Sequence, residues 1–249
     1  MSDGEAPFRG WHYAECGDYH RNLDPDWSFT PTYLGKMKLV CAFVDRLPRT
    51  ARILDAGCGE GVLVERYRKE GRPIEGVDLN YESEYVRRGD VRELPWEDAA
   101  FNVVLLLDTL EHLDFREQRA ALAELARVLK PGGSLVVSVP NLAHLNSRCR
   151  LLVRGRLDRA DNEIDHPGER PLAEYLELLA GSGFRVDRLT GVTLTIPLLY
   201  RRLVCRWPRR LRWLHDLTEP LAVRLPGLAL VVVVISSLAK PPAAARGAG

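Results

Sequence analysis

The sequence predicts an α/β protein built on a doubly wound, mostly parallel sheet, and three stretches carry that prediction. The first is Ile53-Leu54-Asp55-Ala56, a short apolar strand that runs into the glycine-rich turn Gly57-Cys58-Gly59-Glu60-Gly61. Val62, Leu63, Val64 and Tyr67 then give the apolar side of a helix. The second is Ile74-Glu75-Gly76-Val77-Asp78-Leu79, another short strand ending in an acid. The third is Phe101 to Leu107, whose continuous apolar run reads as a central strand buried on both faces.

The turn after the first strand is suited to a ligand. Glycines at alternate positions let the backbone bend freely and let a bound group come close to the main chain. The helix behind it offers unpaired N–H groups and a positive dipole end to an anionic group. A plain glycine-rich strand–helix turn is the competing reading. Asp78 comes 17 residues after Gly61, where an acid can bind two ribose hydroxyls at once. A solvated strand-end aspartate is the competing reading there, and the joint occurrence favours a nucleoside-bearing ligand.

With these residues in view, Asp55-Ala56-Gly57-Cys58-Gly59-Glu60-Gly61 resembles the first motif of the class I S-adenosylmethionine (SAM)-dependent methyltransferases. The spacing is G-x-G-x-G, not the G-x-G-x-x-G of nicotinamide dehydrogenases. That suits a ligand without a pyrophosphate but with a methionine carboxylate and ammonium. The resemblance runs from Ala51 to Phe184 and includes Leu129-Lys130-Pro131-Gly132-Gly133 before an apolar strand. It implies a Rossmann-like sheet of seven strands with helices on both faces and an antiparallel C-terminal edge strand. It also implies SAM as cofactor, held by Asp55, Ala56, Gly57, Cys58, Gly59, Gly61, Asp78, Leu79, Asp90, Val91, Asp108 and Thr109. Asp55 would assist with the ammonium. Asp90 would accept from the adenine amino group with Val91 against the ring, although a Gly-Asp turn is common in its own right. Asn102 departs from the family's usual Asp, which bears on turn hydrogen bonding more than on catalysis.

Composition narrows the class. A chain of 249 residues suits one large α/β domain, or two small ones. The net charge of +1 supplies no global field for nucleic acid. Asp108-Thr109-Leu110-Glu111 is also unlike the Asp/Asn-Pro-Pro-Tyr/Phe of methyltransferases that modify base amino groups. No nucleic-acid partner is expected. Cys16, Cys41, Cys58, Cys149 and Cys205 are scattered and read as free thiols in a reducing compartment, with no metal site. The N-terminus lacks signal-peptide features, and the apolar run Leu228 to Leu238 is too short to span a bilayer. The expected location is cytoplasmic, with association at the inner membrane face.

Along the chain, residues 1–30 are crowded with aromatic and acidic side chains and are expected to form an N-terminal lid or arm. The methyltransferase domain is expected over 31–240, followed by a disordered tail at 241–249. Thr30 is expected to cap a helix beginning at Pro31, with Leu34, Met37, Cys41, Val44 and Leu47 as its core stripe. A helix over Phe115 to Leu129 carries Leu122, Leu125 and Leu129 on one side. Strands follow at Ser134 to Val139, Phe184 to Thr190 and Leu228 to Leu238, with a helix at Leu172 to Leu179 between the first two.

Two regions point to the acceptor. The loop 140–171 is polar and broken by Pro and Gly, as functional loops are. The insert 195–226 mixes seven arginines with Trp207, Trp213 and several leucines, which suits an interfacial helix on anionic lipid. A protein-docking insert and an acceptor-capping helix pair are its alternatives.

Methyl transfer needs alignment and exclusion of water, and a base only where the acceptor is protonated at neutral pH. His112, His144 and His166 are the base candidates, in that order. For Glu111 and His112 a loop-holding role at the methionine end of the pocket is the stronger reading. The expected reaction is methyl transfer to a small-molecule or lipid- or glycan-linked acceptor. A non-catalytic interaction module and a nicotinamide-dependent oxidoreductase are the alternatives.

Overall fold

The computed structural model describes residues 26–155, 157, 166–197, 199–200, 204, 206–207 and 209–239, together with Arg21 and Leu23. Most of the expected lid, part of the 140–171 loop including Asp161 to Asp165, and the tail at 241–249 lie outside the described residues.

Seven strands form one sheet: β1 (Ile53–Ala56), β2 (Ile74–Asp78), β3 (Val86–Arg88), β4 (Phe101–Leu107), β5 (Leu129–Pro140), β6 (Phe184–Leu194) and β7 (Ala229–Leu238). Their order is β3-β2-β1-β4-β5-β7-β6. β1 to β5 pair in parallel, and β7 runs antiparallel to both neighbours. The C-terminal strand is antiparallel as expected but sits one place inside the edge, which leaves β6 outermost.

Side-chain alternation on β4 explains its continuous apolar run. Val103 and Leu105 face one core, while Val104 and Leu106 face the other. The first core is closed by α1 (Thr30–Asp45) and α2 (Val62–Lys69) through Val40, Val44, Leu63, Val64 and Tyr67. The second is closed by α3 (Phe115–Val128) and α5 (Leu172–Gly181) through Leu122, Leu125, Tyr175 and Leu179. Each such leucine contributes about 1.5–3 kcal/mol by leaving water. Asp114 starts α3 with a capping box, in which its side chain accepts from the Glu117 N–H and the Glu117 carboxylate accepts from the Asp114 N–H. Leu129 has left α3 and opens β5.

α1 departs from the expected pattern in two ways. Thr30 lies inside the helix, and Phe29 precedes it without a side-chain cap. The fully buried face follows Thr32, Lys36, Val40 and Val44; of the expected stripe Val44 lies on it, while Met37, Cys41 and Leu47 pack only half-buried against the same core. Polar residues at 32 and 36 hid that face from a search for apolar periodicity. They are buried because they have partners inside the protein, described below.

α4 (Leu145–Arg154) follows β5, and α6 (Arg212–Arg224) precedes β7 and packs against β6. The strand order reverses between β1 and β4, so the carboxyl ends of those strands open onto the crevice where doubly wound sheets bind ligands.

Candidate functional site

The glycine turn is built from backbone. Gly57 and Cys58 N–H both donate to the Val77 carbonyl, at 2.8 and 3.2 Å, which ties the turn to β2. Gly57 has φ +74°, and a Cβ there would run into Thr109 on the loop after β4. Only glycine lets the two loops close together at the switch point. Asp78 ends β2 nearly buried, with its Oδ2 accepting from the Gly59 N–H at 2.8 Å and its Oδ1 from the Asn80 N–H at 2.8 Å. Its carboxylate is therefore held in a set direction beside the turn.

Asp55 lies within β1 and is 3 % exposed. Its Oδ1 has no hydrogen-bond partner. Burial first, then repulsion from Asp78, raises its carboxyl to about 7, with Lys36 pulling the other way. A cationic group entering here would meet an acid whose surroundings do not yet balance it.

Asp90 is clasped by Arg92, whose Nε lies 2.9 Å from both carboxylate oxygens, and Arg92 also reaches Glu117. Burial works to raise the Asp90 carboxyl, but the Arg92 hydrogen bonds outweigh it and leave it below the usual range. Val91 beside it is buried, and Leu79 is exposed at the end of β2.

On the other side of the switch point, Asp108 leaves β4 with a positive φ of 46°. The Ser138 hydroxyl donates to its Oδ1 at 2.6 Å, and Lys36 of α1 forms an ion pair with its Oδ2. Thr109 donates its hydroxyl to the Leu107 carbonyl at 3.0 Å. This explains the buried face of α1, because Lys36 is hidden where it can neutralise Asp108. Thr32 is likewise bonded to Thr193 of β6, which bonds His215 of α6, each at 2.7 Å.

One helical turn on, Glu111 is 2 % exposed and its Oε2 has no hydrogen-bond partner. Burial first, then Asp108, holds its carboxyl well above the ordinary glutamate range. His112 meets His166 ring edge to face, with centroids 4.7 Å apart. The structure thus brings together two of the three histidines expected from sequence. The segment holding His166 is docked by Gln118, whose side-chain amide donates to the carbonyls of Leu110, Leu113 and Gly168, while its oxygen accepts from Arg170 at 2.7 Å. Gly168 N–H also donates to the Glu111 carbonyl at 3.0 Å. A Cβ at Gly168 would collide with the Leu113 carbonyl, so glycine is required for this close approach.

His144 has a different task. Its Nδ1 accepts from the Ser147 N–H as the N-cap of α4 and lies 2.7 Å from the Thr195 hydroxyl. Burial, then Arg150, lowers it to about 4. Asn102, where the resemblance has Asp, accepts from the Arg52 N–H at 3.0 Å and from Lys130, a turn-binding role as expected.

Sequence reasoning missed Lys36, Glu169, Gln118 and Ser138. Glu169 is 6 % exposed beside Glu111 and Tyr175. The only signal for Lys36 was its place four residues after Thr32 and four before Val40.

A family model for a methyltransferase domain matches residues 27–189. The chain belongs to the class I SAM-dependent methyltransferases. A ubiquinone biosynthesis O-methyltransferase of Thiobacillus denitrificans is 30% identical over 201 residues, covering 70% of this chain and 82% of its own. A probable SAM-dependent methyltransferase of Mycolicibacterium smegmatis is 33% identical over 150 residues, 56% of this chain, and the chain spans only 54% of that relative. Among solved structures, a SAM-dependent methyltransferase of Thermotoga maritima superposes with TM-score 0.58 at 17% identity, covering 92% of this chain and 99% of its own. The [4+2]-cyclase SpnF superposes with TM-score 0.53 at 19% identity, covering 82% and 81%. At such identities these structures speak for the fold alone.

The methyltransferase uses SAM, and the residues present fit it. Asp78 is held in a set direction beside the glycine turn by the Gly59 and Asn80 N–H groups, and Asp55 offers an orphaned buried oxygen for an ammonium. No described helix is long and apolar enough to cross a membrane. Among the described residues, Cys41, Cys58 and Cys149 form no disulfide.

Proposed function

We propose that this methyltransferase modifies a hydroxyl oxygen of a small or lipid-linked acceptor. The observation that carries this reading is the convergence of Glu111, His112 and His166 beside Asp108 and Thr109 at the carboxyl end of β4. An oxygen acceptor needs a group to receive or weaken its proton, and imidazole with a buried carboxylate is suited to that. The relative named as a ubiquinone biosynthesis O-methyltransferase supports the same chemistry.

SAM supplies an activated methyl group, so the protein's residues have to bind, orient and exclude water. Gly57, Cys58, Gly59 and Gly61 would receive it with Ala56, Asp55 its ammonium, Asp78 and Leu79 its ribose, Asp90 and Val91 its adenine. Asp108 and Thr109 border its methionine end. His112 and His166 face the acceptor, and the Gln118 anchor keeps the His166 segment in place. His144 caps α4 and bonds Thr195, so it drops behind His166 as a base candidate.

The membrane reading of the insert 195–226 is supported by α6. Trp213, Leu217 and Leu221 repeat every four residues and are 61%, 66% and 46% exposed, with Arg209, Arg210 and Arg212 exposed at the start of the helix. An apolar stripe flanked by arginine suits an anionic lipid surface bearing a lipid-linked acceptor. Arg21 reaches Glu60 of the glycine turn and Glu65 of α2, which supports a covering role for the N-terminal arm.

The test is release of S-adenosylhomocysteine from SAM with panels of hydroxylated, amino and carbon acceptors, free and lipid-linked. Turnover confined to amino acceptors would overturn the oxygen reading.

A further inference from the structure

One group of side chains in the crevice is arranged for more than proton transfer. Glu111 Oε, His112 and His166 each present one ligand atom, and these atoms lie within 4.8 Å of one another. Glu111 itself is 2 % exposed, and its Oε2 has no hydrogen-bond partner. Nearby Lys36 is committed to Asp108. Glu169, 6 % exposed, adds a second buried acid beside Glu111.

We propose that Glu111, His112 and His166 bind one first-row divalent cation, of the zinc or manganese type, and that this cation holds the acceptor's hydroxyl. The inference rests on the methyl-transfer reading above. Two imidazoles and one carboxylate are a donor set that such cations favour, and three protein ligands leave positions open for water and substrate. Ligand bonds of about 2.0–2.2 Å set donor atoms roughly 3–3.5 Å apart, so the group has only to close slightly around the ion. The ligands come from two places in the chain: a rigid turn after β4 carries Glu111 and His112, and the segment pinned by Gln118 carries His166. Gln118 and the Gly168–Glu111 backbone bond act as positioning contacts, because they fix the spacing between those two pieces. His144 takes no part, since its Nδ1 caps α4.

The chemistry is balanced without any oxidant. A hydroxyl bound to the cation loses its proton to solvent more easily than a free one. Its oxygen lone pair forms the new O–CH3 bond as the C–S bond breaks. The electron pair of that bond remains on sulfur, which becomes a neutral thioether.

The test uses the full-length, tag-free chain after chelator treatment, titrated with Co2+ and followed by visible absorption. Mn2+ binding is followed in parallel by electron paramagnetic resonance. SAM binding is measured separately by calorimetry. One saturable cation per chain is expected, with His166→Ala and His112→Ala each weakening it by about tenfold or more while SAM affinity holds. Glu111→Gln is read in the same way, and where it fails to fold the His166→Ala result decides. Absence of saturable binding, or binding that neither histidine variant alters, overturns the proposal. SAM binding without cation binding sinks only this inference. Failure to bind SAM sinks the methyl-transfer reading and leaves the cation result readable.

Discussion

The two sides of the crevice are built from different materials. On the side proposed for the cofactor, Asp55 to Gly61 and Asp78 lie within one strand–turn–helix–strand unit, and the main chain makes the decisive contacts. On the side proposed for the acceptor, Glu111, Gln118, Ser138, His166 and Lys36 come from five segments, and side chains make nearly every contact. A ligand common to a whole family can be met by a local backbone shape. An acceptor particular to one enzyme has to be met by side chains gathered from afar.

That contrast breaks most sharply at Glu111. Glu111→Gln keeps the shape but loses the acid, and turnover is expected to fall roughly 100-fold to 10,000-fold with SAM affinity unchanged. Equal losses in SAM affinity, measured by calorimetry, would place Glu111 on the cofactor side instead. The converse is Asp78→Ala, which removes the acceptor for the Gly59 and Asn80 N–H groups. Losing charge-assisted bonds of about 1.5–3 kcal/mol each should weaken SAM by tens-fold or more, while cation binding survives. A variant that still binds SAM normally would remove Asp78 from the cofactor contacts.

Titration separates the two sides more finely. Folded Asp55 keeps its proton up to about 7, whereas the unfolded carboxyl gives it up above 3.8. Its contribution to stability is full below 3.8 and is lost as pH rises to about 7. His144 works in the opposite sense: it stays neutral in the fold down to about 4, while the unfolded imidazole gains a proton below 6.5. Its contribution is full above 6.5 and is lost as pH falls to about 4. Each effect is on the order of 3–4 kcal/mol at most, and the two oppose one another. Denaturant unfolding of Asp55→Asn should therefore show stability dropping on acidification relative to wild type. His144→Asn, which retains a capping oxygen, should show it rising. Parallel profiles for the two variants would refute both assignments. SAM affinity should also rise with pH up to about 7 as Asp55 ionises, and Asp55→Asn should flatten that rise.

The smallest effect on the fold is expected at the outer face of α6. Trp213→Ser with Leu217→Ser should leave stability within about 0.5 kcal/mol, since both are exposed. Flotation with anionic vesicles should fall several-fold, about as much as raising salt does for wild type. Vesicle binding that ignores these substitutions would move the membrane contact elsewhere.

Legibility followed the same division. β1, the glycine turn, Asp78 and β4 could be read from sequence because each is a short contiguous pattern with its own physical cause. Leu129 and Thr30 were misplaced by a residue or so, where helix, cap and strand compete over the same few positions. Lys36 was missed for a deeper reason: a charge is buried only where a partner waits, and Asp108 lies far along the chain. The meeting of His112 with His166, and the separation of His144 from both, had no local signature at all.

The amino-acid sequence by itself determined the doubly wound sheet, the glycine turn and the acids that border it. Hydrophobic periodicity and glycine placement act over a few residues and need no distant partner. Only the tertiary structure decided that β7 slips inside β6, that Lys36 neutralises Asp108, and that Glu111, His112 and His166 share one space. Those outcomes depend on which segments the packed sheet brings into contact, and that is a property of the whole chain.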